Sequence, residues 1–164
     1  MKKATDTREH LFELLRDFDT TMLVTVDNDG GLHARPMAVA SLEPDGDTYL
    51  VTSIESPKVA EVEHYPQVTL TFQINDQYAA LRGRAAIVRD RKLIEKLWKE
   101  PWKVWFPEGK DDPTIALLRF DADSGEYWDN SGMQGLKYAF TAAKSYVKGE
   151  RPPTDDDQHS RVRL

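Results

Sequence analysis

Short β-forming segments, each followed by a turn sequence, are the feature of this 164-residue chain that most limits its fold. The first three segments span residues 21–26, 32–42 and 48–52 and are rich in Val, Thr, Leu and Ala. The sequences NDGG at 28–31 and EPDG at 43–46 separate them, and both are typical of tight turns. Strands this close in sequence pair most simply with their neighbours, which predicts an antiparallel meander.

Further β-forming segments follow in the second half of the chain. Residues 67–74 and 78–88 flank Asn75-Asp76 and predict a hairpin. Two more strands are expected near residues 115–121 and 126–129. About seven strands in one small domain indicate a mainly β fold, either a barrel or a sandwich decorated with helices.

Amphipathic helices are predicted between and after these strands. Asp6 and Glu9 have the spacing of a capping box ahead of an apolar stripe. Ser56, followed by proline, has the features of a second helix start, and Asp90 has those of a third. Apolar residues at helical spacing over 136–147 predict a last helix.

Length and composition predict one domain. An apolar share of 40% and a charged share of 30% are typical of a globular chain with one core. We expect this domain to span residues 1–148 and the polar, proline-containing residues 149–164 to form a disordered tail. The polar N-terminus and the lack of a long apolar run favour a cytoplasmic protein without a signal peptide or membrane contact.

Cysteine count, histidine spacing and charge exclude several kinds of site. Without cysteine the chain has no disulfide, thiolate or cysteine-ligated zinc. Its four histidines lie far apart, so we expect no metal site. A formal net charge of -6 argues against nucleic-acid binding. The sequence also contains neither a glycine-rich phosphate loop nor a serine nucleophile elbow.

The segment GLHARPM at 31–37 is the first candidate for a ligand site. Proline cannot donate to a sheet ladder, so Pro36 marks an edge, a bulge or a place where a ligand replaces a strand. Strand alternation puts Arg35 on one face with His33 and Met37, where its guanidinium could bind a phosphate or a flavin carbonyl. The alternative, which the pattern alone favours, is a solvated arginine on an edge strand.

The segment TSIESPK at 52–58 is the second candidate. The free amides and the dipole at a helix start favour an anion. Lys58 lies in the first turn of the predicted helix, where a cation is otherwise unfavourable. A bound phosphate would remove this conflict, and a capped helix with one exposed lysine is an equally good interpretation.

Two weaker candidates are a pair of arginines and an aromatic loop. Arg82 and Arg84 share a face by strand alternation, but such pairs are more often solvated than part of an anion site. The loop at 103–113 contains Trp105, which could mark an interface or simply cover one end of the barrel. Trp128 could flank a flat ring or fill the core.

Taken together, these segments resemble the pyridoxamine 5′-phosphate oxidase-like FMN-binding split barrels, and within them the general stress protein 26 branch. The motifs that carry the resemblance are TVDNDGGLHARPM, YLVTSIESPKVAEVEHYPQVTLTF, LRGRAAIVRD, KVWFPEGKDDP and EYWD, in this order. The resemblance implies a mainly β split β-barrel with flanking helices and a homodimer that binds FMN at its interface. It further implies contacts to the flavin by the residues that match the family's motifs: Arg35, Pro36, Met37, Ala38, Val51, Thr52, Ser53, Lys58, Tyr78, Trp105 and Trp128.

Within this set the resemblance implies different roles. Lys58 matches the phosphate contact, and Tyr78 the contribution of the partner subunit. An FMN-dependent oxidoreductase of unknown substrate and electron donor is the expected function. The alternatives are a non-catalytic flavin store or sensor, and the same fold holding deazaflavin or haem.

The chain departs at two places from the enzymes of this family that oxidise pyridoxamine 5′-phosphate. Those enzymes carry a lysine at the end of the arginine-containing strand, where this chain has Ala40. They also carry an Arg-x-His pair after the tryptophan, where this chain has NSGMQGLKYAF. Oxidation of pyridoxamine phosphate is therefore not expected.

Overall fold

Seven antiparallel strands form the sheet of the computed structural model, which describes residues 2–16, 18–43, 46–130, 145, 149 and 159–164. The strands are β1 (Thr20–Val26), β2 (Leu32–Leu42), β3 (Thr48–Ser53), β4 (Gln67–Ile74), β5 (Gln77–Val88), β6 (Ile115–Asp129) and β7 (His159–Arg163). Three helices accompany them: α1 (Lys2–Leu15), α2 (Pro57–His64) and α3 (Arg91–Leu97). Two 3₁₀ turns, Glu100–Val104 and Gly109–Asp111, lie between α3 and β6.

Six of the strands close into a barrel. The sheet order is β3-β2-β1-β4-β5-β6-β7, and an additional pairing of β3 with β6 completes the ring. The predicted meander of β1, β2 and β3 and the hairpin of β4 and β5 are both present. The fold is therefore the predicted barrel and not the predicted sandwich, because each of the strands β1 to β6 has a neighbour on both sides.

The last strands differ from the sequence-based prediction. The two strands expected near 115–121 and 126–129 are one 15-residue strand, β6. Its pairing with β5 continues through the polar segment between them, with a register shift at Arg82/Gly83. The prediction of a disordered tail is wrong for residues 159–163, which form β7 against the carboxyl half of β6. Val162 is buried there, so apolar burial holds the strand in place.

The helices begin close to the predicted residues, with one exception. Helix α1 starts at Lys2, so Asp6 lies inside it and the capping box predicted there is wrong. Asp90 caps α3 as predicted, because its carboxylate accepts from the amides of Lys92 and Leu93. Most of the helix predicted over 136–147 lies outside the described residues.

Two apolar clusters form the core. The larger one fills the barrel and includes Leu11 and Leu15 of α1, which covers one side of it. The smaller one lies beneath α3 and the aromatic loop, where Trp102 and Phe106 are buried. None of the helices in the described ranges is long and apolar enough to cross a membrane.

Candidate functional site

Strands β2 and β3 diverge at the position where the sequence suggested a ligand. Their pairing begins at Val39 opposite Leu50 and continues toward the turn that joins them. Beyond this point β2 pairs with β1, and residues 51–53 of β3 pair with β6. Among the described strands, none pairs with the edge of residues 35–38 that faces β3. The opening between the two strands explains the tolerance for Pro36, which has no amide hydrogen to contribute to a ladder.

Arg35 is a partly buried side chain within a polar cluster. Arg35 lies on the inner face of β2, together with His33 and Met37, as strand alternation predicted. Its Nη2 donates to Glu61 Oε2 at 2.6 Å, and its Nη1 donates to the hydroxyl of Thr25. Its side chain is only 14% exposed, which excludes the alternative of a solvated arginine.

Lys58 lies at the start of α2, next to the end of β3. Its Nζ donates to Ser56 Oγ at 2.5 Å and lies 3.5 Å from Thr52 Oγ. Burial and then the positive charge of Arg35 lower the pKa of Lys58, and the charge of Glu61 acts in the opposite direction. The positive charge of Arg35 thus acts unfavourably on Lys58, and these are the two cations that the resemblance assigns to the flavin.

The start of α2 differs from that of α3 in its capping. Ser56 occupies the N-cap position as predicted, but its side chain makes no capping hydrogen bond. Its hydroxyl instead accepts from Lys58. In α3 the carboxylate of Asp90 caps the corresponding amides. The first turn of α2 therefore retains its attraction for an external anion.

Glu61 is a site residue that the sequence analysis missed. It is buried on α2 and accepts from the hydroxyl of Thr25 at 2.6 Å, while its Oε1 lies 3.3 Å from His33 Nδ1. Its spacing of three residues from Lys58 was the available signal, because such residues share a helix face. Its partners on β1 and β2 are distant in sequence, so no local pattern predicts the contacts.

The charge of this cluster favours an anion. Burial raises the pKa of Glu61, but hydrogen bonds from Thr25, His33 and Arg35, together with the Arg35 charge, outweigh it and lower the pKa overall. Glu61 is thus ionised at neutral pH. Two cations, Arg35 and Lys58, then face one carboxylate, which leaves one positive charge in excess.

Tyr78 and Trp128 are cross-strand neighbours away from this cluster. They lie opposite each other on β5 and β6, and Tyr78 is exposed. Strands β2 and β5 occupy opposite positions in the six-strand ring, and Tyr78 points outward while Arg35 points inward. One chain therefore does not bring Tyr78 to the Arg35 cluster.

The remaining candidates lie on the surface. Trp105 is 61% exposed, while its neighbours Trp102 and Phe106 fill the second core cluster, so the aromatic loop covers one side of the barrel and also presents one ring to solvent. Arg82 and Arg84 are exposed on the outer face of β5, as expected for a solvated pair. Within the described residues no group of His, Asp or Glu has the arrangement of a metal site.

The comparisons with known proteins agree with this architecture. The family model of pyridoxamine 5′-phosphate oxidase-like proteins matches residues 6–153. General stress protein 26 of Bacillus subtilis (strain 168) is 30% identical over 124 residues, which cover 72% of this chain and 85% of the relative.

Solved structures share the fold. A protein related to general stress protein 26 from Clostridium acetobutylicum superposes with a TM-score of 0.67 at 23% identity, covering 75% of this chain and 88% of the other. A general stress FMN/FAD binding protein from Xanthomonas citri has a TM-score of 0.65 at 30% identity, with coverages of 78% and 92%. The predicted mainly β split barrel with flanking helices is confirmed.

Proposed function

Because this chain belongs to the pyridoxamine 5′-phosphate oxidase-like family, we propose that it binds FMN in the opening between β2 and β3. The observation that carries the proposal is the position of two partly buried cations on the two strands that flank this opening: Arg35 lies on β2, and Lys58 lies just after β3 with its Nζ near Thr52. A flavin phosphate is nearly dianionic at neutral pH and suits such a cluster. The relative from Xanthomonas citri is named an FMN/FAD binding protein, which supports a flavin as the ligand.

Different residues of this chain would contact different parts of the cofactor. Arg35, Lys58 and the uncapped start of α2 would hold the phosphate. The backbone of residues 35–38 and 51–53, which the structure leaves along the opening, would follow the ribityl chain and the ring. Trp105, which is exposed, and Trp128, which lies opposite Tyr78, stay predicted ring contacts.

We further propose a homodimer with the flavin at its interface. The outer face of β1 and β2 is apolar, and the residues on it are in register: Met22 with Pro36, Val24 with Ala34, and Val26 with Leu32. Leu32 is 79% exposed, which is unusual for a large apolar side chain in a strand. A second copy seated on this face would bury it, and Tyr78 could then reach the flavin only from that partner.

When bound, FMN would supply reversible hydride and electron transfer, and we propose an oxidoreductase on this basis. We also propose a cytoplasmic location, which fits a chain without cysteine. The protein would bind the cofactor and limit access to it. Ala40 is buried in the second core cluster. At this position the enzymes that oxidise pyridoxamine 5′-phosphate carry a substrate-binding lysine. This burial supports a substrate other than pyridoxamine phosphate.

The absorption spectrum of the purified protein tests the ligand. We expect a flavin spectrum and release of FMN, identified by mass spectrometry after denaturation. A haem spectrum, a released deazaflavin or a colourless protein that does not take up added FMN would contradict the proposal. Release of FAD would retain the flavin site and correct the cofactor.

Anaerobic bleaching by NADH or NADPH tests the reaction. We expect one of the two donors to reduce the bound flavin within the time of a catalytic turnover. The second candidate is a flavin store or sensor, and the Xanthomonas citri relative is named a general stress FMN/FAD binding protein. Flavin that binds tightly but is reduced by neither donor would support that candidate.

A further inference from the structure

Arg35 is held from two sides by residues of its own chain. Its Nη2 donates to Glu61 Oε2 at 2.6 Å, and its Nη1 donates to the hydroxyl of Thr25. The hydroxyl of Thr25 in turn donates to the same carboxylate oxygen at 2.6 Å. Three residues from β2, β1 and α2 thus form a closed hydrogen-bonded triangle.

Burial makes this triangle rigid. Thr25 has no solvent exposure, and Glu61 has 7%. Rotation of Arg35 away from them would break the ion pair of a buried carboxylate with an always-charged group and leave that carboxylate with Thr25 and His33 as its hydrogen-bond partners, which is unfavourable. The triangle therefore fixes the orientation of the guanidinium before any ligand arrives.

The fixed guanidinium still has donors to offer. An arginine carries five N–H groups, and the triangle uses two of them. The other oxygen of Glu61, Oε1, is engaged by His33 at 3.3 Å, so the carboxylate is directed toward protein groups. Glu61 can then act on a bound anion through Arg35 and not by contact.

We propose that Glu61 is a positioning residue: it holds the Arg35 guanidinium in the orientation from which its remaining N–H groups bind the FMN phosphate. This inference rests on the proposed function. Neither the family match nor the motifs assign a role to Glu61. Without the carboxylate, Arg35 would remain charged but would lose its fixed direction, and with it most of its contribution to affinity.

A double-mutant cycle on FMN affinity tests the inference. The dissociation constant is measured by flavin fluorescence for the wild type, Arg35→Ala, Glu61→Gln and the double variant. We expect each single variant to bind about tenfold more weakly and the double variant to bind no more than about twofold more weakly than Arg35→Ala alone. Independent effects, which multiply to about a hundredfold loss, would overturn the inference.

Two comparisons separate positioning from a general loss of structure. Lys58→Ala should retain most of its effect in the Glu61→Gln background, because Lys58 makes its hydrogen bonds with Ser56 and Thr52 and interacts with Glu61 only through charge. Glu63→Gln removes the same charge from the exposed face of α2 and should leave the affinity unchanged. Tighter or unchanged FMN binding by Glu61→Gln would also overturn the inference.

The second arm of the triangle gives a variant that does not alter charge. Thr25→Val removes the hydroxyl, and Thr25→Ser keeps it. We expect a severalfold loss of FMN affinity for Thr25→Val and wild-type affinity for Thr25→Ser. This pair tests the inference even if Glu61→Gln does not fold. Equal affinities for the two would contradict positioning. If Arg35→Ala alone binds FMN like the wild type, the proposed flavin site itself is wrong.

Discussion

At the scale of single residues, Arg35 and Lys58 carry the candidate site, and their removal has a defined expected result. Arg35→Ala and Lys58→Ala should each weaken FMN binding at least about tenfold, because each charge-assisted hydrogen bond to a phosphate contributes about 1.5–3 kcal/mol. Isothermal titration of the flavin-free protein measures this change.

Matched controls exist for both variants. Lys92 occupies the same position in the first turn of α3 that Lys58 occupies in α2, and Arg84 is an exposed strand arginine. Lys92→Ala and Arg84→Ala should bind FMN like the wild type. Equal losses in the variants and in these controls would mean that overall charge, and not the site, attracts the cofactor.

The depressed pKa of Glu61 predicts a specific acid sensitivity. A carboxyl whose pKa is lowered on folding stabilises the folded state above its unfolded value, near 4.5, and this contribution is lost as the pH falls through the folded value. Glu61→Gln should lower the free energy of unfolding at pH 7 by about 1–3 kcal/mol. The difference from the wild type should shrink below pH 4.5 in urea titrations.

The exposed residue Glu63 again supplies the control. Glu63→Gln should show neither the loss at neutral pH nor the convergence in acid. A gap between Glu61→Gln and the wild type that stays constant down to the lowest pH would contradict the assignment of an ionised, hydrogen-bonded Glu61.

Residues could be predicted from the sequence where a local rule applied, and not where a distant strand decided the contact. Arg35 followed by proline in a strand, and Lys58 after a Ser-Pro helix start, each break a local preference and so attracted attention. Glu61 breaks none: a glutamate in a short helix is ordinary. Its role depends on Thr25 and His33, which only the packing of α2 on the barrel brings near.

At the scale of elements, the same distinction explains the strands. The bounds of β2 and β4 follow from the turns beside them, and the structure agrees with both predictions. The polar residues 121–126 suggested a break between two strands. Strand β6 nevertheless runs through them, because β5 pairs with it from Gln77 to Val88. Strand β7 has a polar sequence, and its place depends on the free edge of β6.

Gly83 allows β5 and β6 to approach where their register shifts. A Cβ atom added there would lie 2.1 Å from the carbonyl oxygen of Asp121, so any side chain forces the strands apart. Gly83→Ala should destabilise the protein by about 1–3 kcal/mol, as overpacked sites do. Thermal unfolding measures the change, and Ala86→Ser, exposed on the same strand, should be neutral. A wild-type midpoint for Gly83→Ala would show that the bulge can relax.

At the scale of the whole molecule, the apolar outer face of β1 and β2 predicts the assembly. Ala34→Lys places a charge in the centre of this face and should yield a monomer that loses FMN, because the proposed site is completed by a second copy. Sedimentation and the flavin spectrum measure the two effects. Ala86→Lys adds the same charge at another exposed strand position and should remain dimeric. A dimeric Ala34→Lys protein would place the interface elsewhere.

The repulsion between Arg35 and Lys58 has a consequence for the protein without its ligand. Two like charges held in a half-buried place make the empty fold less stable than the filled one. A bound anion relieves this repulsion, and this gain is part of its affinity. The total stabilisation is about 2.7 kcal/mol when the free cofactor exceeds its dissociation constant a hundredfold. The melting temperature should therefore rise when FMN is added, and the flavin-free form would be the first to unfold on heating.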